Sequence, residues 1–298
     1  MGMNFDEFGT AEVDAETCTG CGQCVDICPD EVLSLDEGVP VSGKGLTMGC
    51  IACGHCTAIC PTGAIRITGR GLKPDDRFEL PPAQRRATAE QLEALLCTRR
   101  SVRRFTDREV DREMLGRIVA MTATSPMGIP PHEVGVVVFH GREKVRAFAE
   151  EACVTFAKQA RLFNPLVLGL MRPFIGKAAH ALLRDFVRPL YRVLVDKRSR
   201  GIDAFTYDAP AAMLFHVTPL GDPADCYIAA TYAMLAAESL GLGNCMLGTT
   251  AGLTYDKALK AKYGIAKKNK VGLAVVMGYP AVEFQRGVRR RLASAVFA

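Results

Sequence analysis

The sequence predicts an α+β protein built from two domains. Its 298 residues, 49% of them hydrophobic, are enough to bury a substantial core, and this length suggests one large domain and a smaller one. Residues 1–80 carry 13 acidic and 5 basic side chains, a net charge of −8, whereas residues 81–298 carry +13. Short alternating apolar segments in the first part predict strands, and a capped apolar segment predicts a helix at the start of the second. We therefore expect domains over 1–80 and 81–298.

The first domain contains an internal repeat. CTGCGQCVDICP at 18–29 and CIACGHCTAICP at 50–61 are related by a shift of 32 positions, and EVLSL or GAIRI follows each as a predicted short strand. Eight cysteines in two equal spacings favour metal ligation over disulfides in a cytosolic chain. Crossed zinc sites are the alternative, but zinc gives no reason for the third cysteine at the same short spacing or for the Cys-Pro.

Over roughly residues 12–70, this pattern resembles the bacterial two-cluster ferredoxins. The resemblance implies two 4Fe–4S clusters, each held by three closely spaced cysteines and by the fourth cysteine of the other repeat. One cluster would be bound by Cys18, Cys21, Cys24 and Cys60, and the other by Cys50, Cys53, Cys56 and Cys28. Because two clusters form a path for single electrons, electron transport is favoured over a purely structural role. His55 is expected on the solvent side of its loop.

The second domain opens with a helix and a basic motif. After a Gly-, Pro- and charge-rich linker at about 69–88, Thr88 is a candidate N-cap, with Gln91 at the capping-box position and an apolar leucine stripe behind it. The helix leads into TRRSVRRF at 98–105. A serine hydroxyl between guanidinium groups suits a phosphate, while a solvated basic face is the alternative.

Arg99, Ser101, Arg103 and Phe105 resemble the opening FMN-phosphate motif of the nitroreductase family. Three later segments match the family in the same order: Asp208-Ala209-Pro210 before a central strand, 225–248 as the long central helix with its Gly-Leu-Gly exit, and VGLAVVMGYP at 271–280 as the last strand and its turn. The resemblance covers residues 88–291 apart from a divergent middle. It implies a nitroreductase-like mixed α/β sandwich that forms a homodimer with FMN at the subunit interface.

The resemblance also assigns the FMN-binding residues. The phosphate would be held by Arg99, Arg100, Ser101, Arg103, Arg289 and Arg291. The flavin ring would lie against Ser125, Pro126 and Gly128, and against the backbone of Leu247, Gly248 and Thr249 near N5. Gly128 and Pro130 replace the Asn and Gln of the family, so a side-chain amide that reaches the flavin is missing. His132 is either a proton donor or an exposed loop histidine. No catalytic residue is assigned.

Residues 161–200 depart most from the family and contain nine Lys/Arg against two Asp, with apolar residues between them. We expect a variable helical lid or dimer arm over the flavin. The alternative is a basic amphipathic surface for anionic lipid or for the acidic first domain. The remaining cysteines are predicted to be packed small hydrophobes, namely Cys97, Cys153, Cys226 and Cys245.

Together these features predict an iron–sulfur flavoprotein oxidoreductase. Electrons from a reduced ferredoxin-like donor or NAD(P)H would reach FMN and reduce a nitroaromatic, a quinone or an activated alkene. The alternatives are an electron-transfer or redox-sensing module with a protein partner, and a flavin-modifying enzyme of the same fold. The basic part lacks the aromatic interleaving of nucleic-acid binders. No apolar run approaches the length of about 18 residues expected of a membrane span, and no secretory signal is present, so we expect a cytoplasmic protein.

Overall fold

A computed structural model describes residues 8–47, 49–128 and 133–297. Its N-terminal part contains two antiparallel strand pairs, in which β1 pairs with β4 and β2 with β3. The four strands are β1 (Thr10–Val13), β2 (Leu33–Asp36), β3 (Val39–Ser42) and β4 (Ile65–Thr68). Two short helices lie within the cysteine loops, α1 (Gln23–Asp26) and α2 (His55–Ile59). The strand predicted after each cysteine loop is therefore confirmed.

The sequence repeat is also a repeat of backbone conformation. The glycines that precede α1 and α2 are both left-handed, with φ of 74° and 76°. Ala52 and Arg70 have φ of 54° and 49°, where the first repeat has the left-handed Gly20 and Gly38. The second repeat thus holds two side chains in a conformation that favours glycine.

The C-terminal part is built on a four-stranded antiparallel sheet of order β5-β6-β8-β7. Its strands are β5 (Val134–His140), β6 (Ala211–Val217), β7 (Gly243–Leu247) and β8 (Lys270–Gly278). Its helices are α3 (Ala89–Thr98), α4 (Arg112–Thr122), α5 (Arg142–Leu162), α6 (Pro165–Leu182), α7 (Arg188–Ser199), α8 (Pro223–Ser239) and α9 (Lys257–Lys262). The two strands predicted from the motifs at 208–210 and 271–280 are confirmed as the central pair, β6 and β8.

Helices cover both faces of this sheet, because successive residues of the buried strands point to opposite sides. Leu214 and Val276 pack with α5 and α7 on one face, and Met213 and Val275 pack with α4 and α8 on the other. Small side chains allow α8 to pack closely on the sheet, because its alanines are all buried at positions 229, 230, 233, 236 and 237. The central helix α8 ends at Ser239, just before the predicted Gly-Leu-Gly exit, where a left-handed Gly241 turns the chain into β7.

Helix α3 begins as predicted, since Thr88 and Gln91 form a complete capping box. None of its residues is buried, and Leu92 and Leu96 are exposed. The prediction that Cys97 is packed is therefore wrong, because no element among the described residues covers the apolar stripe of α3. The other three single cysteines are buried as predicted, at positions 153, 226 and 245.

The divergent segment 161–200 is helical. Its α7 packs on α5, and a wide helical turn over Leu183–Val187 joins α7 to α6. Gly176 breaks α6 with φ of 78° and ψ of 168°. Among the described residues, one helical stretch, Pro165–Ser199, is long and apolar enough by composition to cross a membrane, although almost none of it is buried.

Candidate functional site

Two cavities in the N-terminal part are each lined by four cysteines. The larger cavity is lined by Cys28, Cys50, Cys53 and Cys56. The smaller cavity is lined by Cys18, Cys21, Cys24 and Cys60. Each set takes three cysteines from one repeat and the fourth from the other, as the predicted cluster ligation requires.

The arrangement of these cysteines fits a polynuclear cluster better than a single ion. A tetrahedral zinc site with Zn–S bonds of about 2.3 Å would draw four sulfurs around one point. Within the described ranges, no three His, Cys, Asp or Glu side chains converge in that way. The cysteines instead surround a space, which is what a cluster of several iron and sulfide ions needs. His55 lines the larger cavity at its exposed side, as expected.

Burial opposes the ionisation of most of the cysteines whose pKa is shifted. Burial raises the pKa of Cys56 to about 11, and it raises the pKa of Cys24 and of Cys50. For Cys60, burial opposes ionisation, but hydrogen bonds to the sulfur outweigh this effect, and the largest of these contributions comes from the backbone of Ile65. The pKa of Cys60 is therefore lowered. Bound iron compensates the burial of thiolates, because a coordinating thiol is deprotonated by the cation.

The basic motif forms a strand-like segment held between β7 and the chain after β8. The Val102 N–H donates to the Asn244 carbonyl at 2.9 Å, beside a bridge between Ser101 and Asn244. Further along, the Thr106 N–H donates to the Tyr279 carbonyl at 2.9 Å. The motif and the Gly-Tyr-Pro turn, which are far apart in sequence, are therefore neighbours in space.

Two glycines allow this close approach. A Cβ on Gly243 would lie 2.7 Å from the Val102 side chain, and a Cβ on Gly278 would lie 2.5 Å from Pro210 and 3.0 Å from Phe105. Any larger residue would push the basic motif away from the sheet. For Gly278, the available signal of this role was a glycine inside the predicted strand at 271–280. Gly243 carried no such signal, because the resemblance places it in the exit of the central helix.

The arginines of the motif point in different directions. Arg99 and Arg100 are half-buried near Glu238, whose pKa is raised by burial against the opposing charge of Arg99. Arg103 is exposed, and its guanidinium lies beside Cys245 and 5.8 Å from the centre of the Tyr207 ring. The C-terminal tail reaches the motif at Gly287, where a Cβ would lie 2.9 Å from Arg100 Nη2. The predicted phosphate residues of the tail are exposed, namely Arg289 and Arg291.

Buried polar atoms without partners occur in two of the predicted FMN-site regions. Ser125 Oγ, and Asn244 Oδ1 beside Ser101, have no hydrogen-bond partner within the described part of the chain. Such atoms are rare in folded proteins and are expected where a ligand supplies the partner. The loop that carries Ser125 is tied to α8, because the Gly128 N–H donates to Asp225 Oδ1 at 3.3 Å. Pro126 is exposed, and Pro130 and His132 lie outside the described residues.

The turn after β7 leaves space for a ligand. Leu247 is buried, while Gly248 is exposed and has no atom within 4 Å of a Cβ position. Thr249 is half-buried, and its carbonyl accepts a hydrogen bond from the Tyr191 hydroxyl of α7 at 3.4 Å. The residues predicted near flavin N5 therefore form an open turn supported by α7.

An ion-pair network fixes the predicted Asp-Ala-Pro segment. Asp208 has a left-handed φ of 53° and pairs with Arg142 and Arg146 at the start of α5. The hydrogen bond from Arg146 is the main cause that lowers the pKa of Asp208. Arg142 also donates to the Thr106 carbonyl at 2.7 Å, so α5 ties this segment to the end of the basic motif.

A buried ion pair joins the N-terminal and C-terminal parts. Arg70 Nη2 lies 3.6 Å from Glu133 Oε1, and the side chains are 7% and 0% exposed. The Thr218 hydroxyl donates to the other carboxylate oxygen of Glu133, at the end of β6. Arg70 also lies near Cys50, whose ionisation it favours against the burial. The larger cysteine cavity is therefore the one beside this contact.

This contact differs from the docking expected from net charge. Its cation comes from the acidic part and its anion from the basic part. Arginines of the divergent segment instead pair within the C-terminal part, as Arg184 does with Asp185 and Arg198 with Glu150. Local burial, rather than overall charge, determines which residues meet.

Comparisons with known proteins agree with this architecture. Residues 96–279 match the nitroreductase family, and residues 17–64 match the 4Fe-4S dicluster domain. Ferredoxin-2 of Desulfomicrobium norvegicum is 55% identical over 29 residues, and Ferredoxin-1 of Nitratidesulfovibrio vulgaris is 53% identical over 32 residues. These matches cover 10% and 11% of this chain, and the chain spans about half the length of these relatives, 49% and 52%.

Two solved structures share the fold of the C-terminal part. A nitroreductase with bound FMN from Bacteroides fragilis is 20% identical with a TM-score of 0.51, over 71% of this chain and 100% of that one. A nitroreductase with bound FMN from Desulfitobacterium hafniense is 19% identical with a TM-score of 0.50, over 69% and 97%. The chain therefore belongs to the nitroreductase family of FMN-dependent oxidoreductases, with a 4Fe–4S dicluster domain in its N-terminal part.

Proposed function

We propose that this protein takes up electrons at two 4Fe–4S clusters and passes them through FMN to a small organic acceptor. FMN, when bound, supplies the conversion between single-electron and hydride transfer. The acceptor is a nitroaromatic, a quinone or an activated alkene, and the donor is a reduced ferredoxin-like protein or NAD(P)H. The observation that carries this proposal is the buried Arg70–Glu133 pair.

The pair connects one cluster site to the predicted flavin site. Arg70 lies near Cys50, and Glu133 follows Gly128 by five residues, in the loop that also carries Ser125 and Pro126. We propose that the cluster of Cys28, Cys50, Cys53 and Cys56 faces FMN. The cluster of Cys18, Cys21, Cys24 and Cys60 would then receive electrons from the donor.

The backbone at Arg70 supports a positioning role for its side chain. Gly38 occupies the equivalent place in the first repeat, 32 residues earlier, where the left-handed conformation costs nothing. A non-glycine residue held there costs on the order of 1 kcal/mol, and such outliers persist where the side chain has a task. Holding Glu133 at the domain boundary is such a task.

For FMN we propose the residues predicted from the family motifs. The phosphate would be bound by Arg99, Arg100, Ser101, Arg103, Arg289 and Arg291. The ring would contact Ser125, Pro126, Gly128, Leu247, Gly248 and Thr249. The backbone anchoring of the basic motif and the orphaned Ser125 and Asn244 oxygens support this site. The bound flavin would supply the partners that these oxygens lack.

We propose that a second copy of the chain completes the flavin site. Leu92 and Leu96 of α3 are exposed, as are Tyr227, Ile228 and Tyr232 of the adjoining α8. These two apolar stripes lie on neighbouring helices, and a homodimer would remove them from water. We also propose the domain boundary near residue 80, between the segments 17–64 and 96–279, and a cytoplasmic location.

Metal and flavin analysis of the full-length holoprotein tests this proposal. Two four-iron clusters and one flavin predict about eight iron atoms and one FMN per chain. The double variant Ser101→Ala/Arg103→Ala should lose FMN and keep its cluster absorbance, while the neighbouring Arg104→Ala should keep both. Zinc in place of iron, or a protein that binds no flavin, would contradict the proposal.

A further inference from the structure

The divergent segment presents a large apolar surface to solvent. We define residues 162–187 as the arm tip. Leu166, Leu170 and Phe174 follow each other at helical spacing and are 82%, 75% and 89% exposed, and Leu182 and Phe186 are also exposed. Contiguous exposed apolar surface of this kind marks an interaction site on a folded protein.

The charges around the arm tip are mostly positive. No Asp or Glu occurs from residue 152 to residue 184. The same stretch carries five cations, namely Lys158, Arg161, Arg172, Lys177 and Arg184. The acid of the arm tip, Asp185, pairs with Arg184. A surface that combines exposed leucine and phenylalanine with an excess of cations suits a partner that is both apolar and anionic.

The geometry favours a surface contact over a membrane span. The part of α6 before the break at Gly176, residues 165–175, has 11 residues. At 1.5 Å per residue such a helix is about 16 Å long, half of the roughly 30 Å hydrocarbon core of a bilayer. The chain after the break carries Lys177, Arg184 and Arg188 within its first turns. The arm tip can therefore lie in the membrane interface, but it cannot cross the bilayer as one straight helix.

The position of the arm leaves it available in the proposed dimer. The arm continues from α5 and α7, which cover one face of the sheet, whereas the exposed stripe of α8 belongs to the other face. The cations of the arm tip also match the negative surface of anionic phospholipids, where each contributes about a fivefold gain in partitioning. We propose that the arm tip binds the surface of a membrane that contains anionic phospholipid. This inference does not depend on the proposed redox function.

Vesicle flotation of the full-length holoprotein tests this inference, with vesicles of phosphatidylcholine alone or mixed with phosphatidylglycerol. The protein should bind the mixed vesicles, and binding should weaken as salt is raised. Leu170→Ser/Phe174→Ser should lower the partition coefficient at least about tenfold, since each side chain loses most of its transfer free energy. The matched control Tyr255→Ser also removes an exposed ring but should leave binding unchanged.

Charge variants and oligomeric mass provide the second half of the test. Arg172→Glu/Lys177→Glu should reduce binding to mixed vesicles more than a hundredfold, while Lys268→Glu, in the exposed turn before β8, should have little effect. Because all these side chains are exposed, the variants should keep the melting temperature of the parent protein. Equal binding to both vesicle types, or no binding at low salt, would overturn the inference. So would a fall in molecular mass of the apolar variant, which would show that a second copy covers the arm tip.

Discussion

Removing the Arg70 side chain should weaken the contact between the two domains by a calculable amount. Breaking a buried ion pair by removing one partner costs about 3–5 kcal/mol, because the other charge stays buried without compensation. Here the nitrogen–oxygen distance of 3.6 Å exceeds the ideal for a charge-assisted hydrogen bond. We therefore use the low end of this free-energy range. We therefore expect Arg70→Gln to lower the free energy of unfolding by about 3 kcal/mol.

The repeat offers a matched variant. Arg70→Gly installs the residue that the first repeat has at Gly38 and relieves the left-handed φ of 49°. This relief is worth about 1 kcal/mol, so the net loss should be about 2 kcal/mol. The double variant Arg70→Gln/Glu133→Gln should recover part of the loss, since no unpaired charge remains buried, with a coupling of at least about 1.5 kcal/mol.

Anaerobic urea unfolding of the reconstituted holoprotein, followed by circular dichroism, measures these differences. Arg66→Gln is the control, because Arg66 is an exposed arginine on β4 of the same domain and should change the stability by less than about 0.5 kcal/mol. An Arg70→Gln variant as stable as the control would refute the claim that this pair holds the domains together. Equal stabilities of Arg70→Gln and Arg70→Gly would refute the strain argument.

Two further predictions concern the C-terminal domain. Gly243→Ala should lower its free energy of unfolding by about 1–3 kcal/mol through the clash with Val102, and Val102→Ala should restore part of it in a thermal melt of the double variant. Arg146→Gln should lower the melting temperature at neutral pH. The pKa of Asp208 is lowered in the folded protein, so the ionised carboxylate stabilises the fold at any pH above its ordinary pKa of 3.8. This stabilisation is lost as the pH falls through the lower pKa of the folded state. If the difference in melting temperature between the parent protein and Arg146→Gln persisted unchanged below that pH, the result would contradict this reasoning.

The features predicted from sequence were those with local signals. The cysteine spacing and the family resemblance indicated that each repeat supplies its fourth cysteine to the other cluster, and the lining of the two cavities agrees with this. The assignment of the cluster ligands remains a prediction. The capping box at Thr88 and the apolar runs of β6 and β8 could also be predicted, because each depends on residues that are a few positions apart in the sequence.

The features that were missed depend on distant contacts. Arg70 and Glu133 are 63 residues apart, and no local pattern marks either as buried. The need for glycine at position 243 arises only when the basic motif packs on β7. Cys97 was placed wrongly because an apolar helix face does not reveal whether its own chain or a second copy covers it.

The central claim is that electrons reach the flavin through the clusters. Anaerobic stopped-flow mixing with a reduced ferredoxin as the donor tests it, with flavin reduction followed by absorbance. We predict rapid flavin reduction in the parent protein and in Cys97→Ser, which alters an exposed cysteine outside both cavities. Cys53→Ser should disrupt the cluster beside Arg70 and slow flavin reduction by this donor at least about a hundredfold, while FMN content stays the same. An undiminished rate in Cys53→Ser that has lost that cluster would contradict the account.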